Sequence, residues 1–157
     1  MIALSRNVLL IPVAGFCLLA GCGDGGAEGG ADRQAAASDP AAEAAALDQG
    51  PRAGAVLKVD PARAERGAAL FDARSCTDCH TLGEADLAPN LLSVFDKRTL
   101  PWLRRQIRDP EWMAAHDSVT QALVEEFGLE MVDMGVTAEE AEDILHHLKR
   151  AADAAAP

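Results

Sequence analysis

The sequence predicts a small all-α domain of about four helices whose centre is filled by something other than its own side chains. Three observations predict it. After residue 58, apolar residues recur at helical spacing and no alternating stretch reads as a strand. The connection from about Thr81 to Arg98 is long and needs a surface to pack on. Finally, a folded part of roughly 90 residues with few aromatic side chains buries too little area to be secure on its own chain.

The first element is a leader. Arg6 is the only charge before Asp24, and the apolar run Val8 to Ala20 carries Pro12 and Gly15, which suits an export signal better than a bilayer span. The tetrapeptide that follows, Leu19-Ala20-Gly21-Cys22, resembles a bacterial lipobox. That resemblance implies removal of residues 1–21 as a lipoprotein signal peptide and diacylation of Cys22, which becomes the first residue of the mature chain. The rival reading is an ordinary cleavage site with a cysteine nearby by chance. Several acyl chains, at about 0.8 kcal/mol per methylene, hold a protein at a membrane surface without spanning it. Export also exposes thiol pairs to an oxidising compartment.

Residues 22–57 are rich in Gly, Ala, Asp and Gln and poor in large apolar side chains, and so are expected to be a flexible tether. Its mean reach would be on the order of 30–35 Å. Within it, Ala41 to Leu47 reads as a transient helix. The net charge of −11 becomes −12 when Arg6 leaves with the leader, which argues against nucleic acid and anionic lipid headgroups as partners.

Residues 58–157 form the expected domain. A first helix opens at Asp60 with Pro61 in its first turn, carries Gly67, Leu70 and Phe71 along one side, and breaks near Ser75. A second begins around Thr99 with Pro101 in its first turn, places Leu103 and Ile107 on one face, and stops at Asp109-Pro110. Ser118-x-x-Gln121 reads as a capping box for a third helix that carries Leu123, Val124 and Phe127 and ends at Gly128. Thr137-x-x-Glu140 is a second box, followed by Ala141, Ile144, Leu145 and Leu148 at helical spacing.

Between the first two helices stands Cys76-Thr77-Asp78-Cys79-His80. Cys-x-x-Cys-His reads as covalent attachment of a c-type haem, each thiol adding across one vinyl group while His80 comes under the iron. Zinc and a redox dithiol are the rivals. Zinc needs a further ligand pair, for which His116, His146 and His147 are the remaining histidines, and a thioredoxin-like dithiol needs a preceding strand. Cysteine arithmetic favours haem, since Cys17 leaves with the leader, Cys22 takes lipid, and Cys76 and Cys79 take the porphyrin.

With this motif in place, residues 59 to 150 resemble the class I monohaem cytochromes c. The resemblance includes Gly67-x-x-x-Phe71, where the family's glycine lets the first and last helices approach, and Ala88-Pro89-Asn90-Leu91, similar to the family's Gly-Pro-x-Leu. It implies that the Pro89 carbonyl accepts a hydrogen bond from His80 and fixes its tautomer. It also implies a methionine as sixth ligand, a soft thioether that favours Fe(II). Gly128 to Thr137 resembles the family's Met-Pro-x-x-Gly-x-Ser/Thr approach to the last helix, with Met131 in register. Val132 stands where the family has proline, and Met134 is close enough to compete. Met113 is the third methionine in reach, and core packing is the alternative role of whichever methionines do not bind. His147 stands where an aromatic usually meets the first helix's glycine. Trp102, Trp112, Arg104, Arg105 and Arg108 are expected either to meet the haem propionates or to form a solvated basic face.

These readings converge on a lipid-anchored one-electron carrier on the periplasmic side of a bacterial membrane, with one covalent haem c, iron held by His80 and Met131, and redox proteins as electron donor and acceptor. No substrate pocket or nucleophile and base pair points to an enzyme. Two rivals are a haem-based gas-binding or sensor module with a labile sixth position, and a dedicated electron-entry subunit of a larger reductase or oxidase.

Overall fold

The computed structural model describes residues 39–157. The expected signal peptide, the Cys22 lipidation site and the first part of the expected tether lie outside the described residues. Among the described residues there are eight α-helices, two 3-10 turns and no strand, so the all-α expectation holds with more helices than the four foreseen.

The first two helices fall where a flexible tether was expected. α1 (Pro40–Leu47) is capped by Asp39, and α2 (Ala53–Val56) follows a short turn. Ala44 and Ala53 are fully buried, while Leu47 and Leu57 pack against the core. Asp48 holds this segment to the domain: its carboxylate accepts from Thr99 N at 3.0 Å and pairs with Arg98 at 2.8 Å and Arg52 at 2.7 Å. The Thr99 hydroxyl donates to the Leu47 carbonyl, and Ala53 N donates to the Arg98 carbonyl at 2.8 Å. The tether boundary at 57 is therefore corrected, and residues 40–57 belong to the fold. The segment docks through small side chains and one carboxylate, so it lacks the large apolar residues that would have marked it as ordered.

α3 (Pro61–Ala73) begins as expected, with Asp60 accepting from the backbone N–H groups of Ala62 and Arg63. The expected long loop is broken by a 3-10 turn, Leu91–Ser93, and by α4 (Val94–Lys97), which buries Phe95. α5 (Leu100–Arg108) is capped by Thr99 and buries Trp102 and Leu103. Asp109-Pro110, read from sequence as a stop, also starts α6 (Pro110–His116), because proline is tolerated at a first helical position where its missing N–H costs nothing. His116 ends that helix against Trp112. α7 (Ser118–Phe127) is capped by Asp117 in place of the expected Ser118, and the Gln121 side chain bonds the Ala115 carbonyl rather than closing a box. Gly128 ends α7 in the left-handed region at φ 67°. α8 (Ala138–Ala155) opens with the full Thr137–Glu140 capping box.

The centre of the fold is the crossing of α3 with α8. A Cβ built on Gly67 would stand 1.8 Å from the Asp143 carbonyl oxygen, so only glycine allows the two backbones this close. Asp143, buried at the crossing, takes a two-pronged bond from Arg66 at 2.7 and 3.0 Å. His146 Nδ1 accepts from Asp60 N at 3.0 Å, and Arg150 reaches the Ala64 carbonyl at 3.3 Å. His147 meets Phe71 rather than the glycine, with ring centroids 5.6 Å apart.

Candidate functional site

α3 ends at Ala73, and Ser75, at φ 55°, turns the chain sharply into the 3-10 turn Cys76–Asp78. A non-glycine residue in this region carries strain that its surroundings must hold. Here the Ser75 and Cys76 carbonyls accept from Asp78 N at 3.1 Å and from His80 N at 3.0 Å, closing a compact knuckle. The knuckle turns Cys76, Cys79 and His80 toward a cavity of about 350 Å³.

Apolar walls from Phe71, Leu103, Ile144, Leu145 and Leu148 dominate this cavity, and the loop residues Pro89, Met131 and Met134 also line it. Both cysteines, the histidine, the proline and two of the three candidate methionines therefore share one space. Met113 does not: it is fully buried in the core on α6 and is not part of the lining.

His80 Nδ1 lies 3.4 Å from the Pro89 carbonyl, a long hydrogen bond in which the ring nitrogen donates. That leaves Nε2 with its lone pair. Burial pulls the His80 pKa below the ordinary imidazole range, and the Pro89 carbonyl offsets only part of this, so the ring is held neutral, the form that binds a metal. Burial likewise pushes the Cys76 thiol upward.

The basic residues expected to face a charged ligand divide. Arg104 pairs with Glu142, while Arg105 pairs with Asp109 at 3.0 Å and lies over the Trp112 ring, 4.0 Å from its centroid. Neither lines the cavity, nor do Arg108 and Trp112. Trp102 does, and its buried Nε1 has no hydrogen-bond partner among the described residues. Such a donor at an apolar wall is costly to leave unpaired. A bound group that carries a carboxylate would satisfy it, and an apolar cavity with two thiols and a neutral imidazole on one knuckle suits a porphyrin better than a bare ion, so these residues fit haem.

Sequence reasoning missed Arg98 and Gln106, which also line the cavity. Arg98 lies over Trp102, 5.2 Å from the ring centroid, and is held there by Asp48. Gln106 had a visible signal: it sits three residues after Leu103 and beside Ile107, an amide on the inward stripe of α5.

The comparisons with known proteins agree with this geometry. The family model for cytochrome c matches residues 64–152, more than half of the chain. A cytochrome c from Rhodothermus marinus is 34% identical, with 74% of this chain and 99% of that one covered and a TM-score of 0.61. An engineered cytochrome c from the same organism is 32% identical over 73% of this chain and 99% of its own, with a TM-score of 0.60. A further structure of an engineered form, bound to a carbene intermediate, is also 32% identical, with 73% and 99% covered and a TM-score of 0.58. No curated protein matches. Sequence, fold and cavity together place the chain in the cytochrome c family, a haem-based electron carrier whose haem c is covalently bound.

Proposed function

We propose that the protein is a lipid-anchored periplasmic electron carrier with one haem, in which Cys76 and Cys79 form the thioether bonds and His80 and Met131 hold the iron. The observation that carries the ligand reading is the shared cavity: a neutral imidazole whose Nδ1 is engaged by Pro89, with the Met131 side chain lining the same space. When bound, haem supplies a one-electron Fe(III)/Fe(II) couple. The chain's own residues keep His80 in the ligating tautomer, exclude water with apolar walls, and hold a sulfur in reach. A site held this firmly rearranges little when one electron passes to or from a redox protein partner. The anchoring reading rests on the leader and on Leu19-Ala20-Gly21-Cys22.

Replacing Met131 by alanine tests the ligand assignment. The expected result is loss of the thioether-to-iron absorption of the ferric protein and new binding of carbon monoxide by the ferrous form. Wild-type protein that already binds carbon monoxide and lacks that absorption would favour a gas-binding role instead. For the anchor, Cys22→Ser protein should move from the membrane fraction to the soluble one.

A further inference from the structure

We propose that Gln106 is a positioning residue for the sixth ligand: it donates a hydrogen bond to the Met131 sulfur, selects that sulfur over Met134, and raises the reduction potential. The inference rests on Met131 as ligand and goes beyond it.

α5 presents Trp102, Leu103, Gln106 and Ile107 to the cavity. An amide among apolar neighbours costs free energy unless both its ends are bonded. Gln106 Oε1 lies 2.8 Å from Thr120 Oγ1, and Gln106 Nε2 lies 3.8 Å from Met131 Sδ. Thr120 is itself buried at 4% exposure and fixed by Asp117, whose Oδ1 accepts from Thr120 N at 2.8 Å and lies 2.9 Å from Thr120 Oγ1. The Thr120 hydroxyl thus lies between the Asp117 carboxylate and the Gln106 amide oxygen and can donate to both; with its oxygen held on that side, the amide turns its nitrogen toward sulfur. Asp117, Thr120, Gln106 and Met131 form one relay from the start of α7 to the cavity.

A thioether sulfur has two lone pairs. With one given to a bound iron, the other would accept the Gln106 N–H, which would draw electron density from the sulfur and hold the positive end of the amide dipole beside it. Both effects disfavour Fe(III) more than Fe(II). The redox step remains a single electron exchanged with a redox protein, with no proton taken up. Among the described residues Met134 has no comparable side-chain bond: its carbonyl accepts from Arg74 at 3.4 Å and its side chain packs on the core.

The test uses haem-loaded Gln106→Leu, Thr120→Val and Met131→Ala proteins, with potentiometry, ferric absorption and magnetic resonance of the ligating methionine methyl. Gln106→Leu should shift the reduction equilibrium about threefold to tenfold toward Fe(III), about 30–60 mV more negative, and move or broaden the methyl resonance. Thr120→Val keeps the amide but releases its orientation, so it should act in the same direction by less, and it carries the test if Gln106→Leu does not fold. If Met131→Ala retains the thioether absorption, the ligand reading itself fails. If Met131→Ala loses it while both relay variants keep the wild-type potential and methyl signal, or shift the potential upward, the ligand reading stands and the role of Gln106 is overturned. A change in thermal stability alone counts against it as well.

Discussion

The crossing of α3 with α8 and the docking of residues 40–57 hold chain to chain in opposite ways. At the crossing, backbone meets backbone: Gly67 has no room for a Cβ, and the approach is fixed by the helices themselves. In the N-terminal segment, backbone contact is confined to the Arg52–Thr99 bridge, the Ala53 N–H bond to the Arg98 carbonyl and the approach of Gly54 to Phe95, and one carboxylate, Asp48, gathers Arg52, Arg98 and Thr99. The first arrangement tolerates no added atom, while the second depends on a few atoms being present. Function divides along the same line. The crossing sets the helix that delivers Cys76, Cys79 and His80, whereas no residue of the N-terminal segment lines the cavity, and Asp48 touches it through Arg98.

The largest effect should come from breaking the crossing. Gly67→Ala places a methyl 1.8 Å from the Asp143 carbonyl, and neither helix can yield locally because Asp143 is tied to Arg66 and His146 to Asp60. Overpacking against backbone should cost about 3 kcal/mol or more, lowering the melting midpoint of the haem-loaded protein by more than about 10 °C. A midpoint within about 2 °C of wild type would mean that the helices are not in close contact.

Asp48→Ala should produce a smaller and more local loss. It leaves the Thr99 N–H without its acceptor and Arg98 without its partner, at a cost of about 2 kcal/mol. Hydrogen exchange should quicken at Ala53 and Leu57, whose N–H groups bond the Arg98 and Ala53 carbonyls, while the amides of α3 and α8 stay protected. Equal quickening in both regions would show that the segment is not a separate attachment.

How much of this was legible in the sequence follows the same division. Caps are short-range chemistry, so Asp60, Thr99, Gly128 and the Thr137–Glu140 box could each be read from a few residues. Cys76, Cys79, His80, Pro89 and Met131 could be singled out because their spacing or family register is distinctive, and the structure places all five on one cavity. Residues 40–57 could not. Alanine buries too little to show an amphipathic stripe, and the meaning of Asp48 depends on residues fifty positions away. Gln106 was hidden for a related reason: an amide on an apolar stripe gains a role only when α7 and the methionine loop are folded beside it. Asp117 took the cap expected of Ser118 because its carboxylate bonds both the N–H and the hydroxyl of Thr120.

The smallest effect lies where the two modes of attachment overlap. Arg74, at the end of α3, donates to Glu140 in the first turn of α8 at 2.6 Å, a side-chain bond laid across a joint that the backbones already make. The Arg74 guanidinium, followed by the Thr137 N–H, holds the Glu140 carboxyl below its ordinary value of 4.5. A depressed carboxylate pKa contributes stability above the unfolded value and loses it as the pH falls through the lower folded value. Glu140→Gln keeps an N3 side chain able to close the capping box and removes only the charge. Because the pair is partly open to solvent and screened, the variant should melt within about 2 °C of wild type at neutral pH. That small difference should fade as the pH drops below 4.5 and vanish once the wild-type carboxyl is protonated in both states. A difference that persists unchanged into acid would assign the bond's contribution to shape rather than charge. A neutral-pH loss as large as that of Asp48→Ala would show that the crossing, too, depends on its side chains.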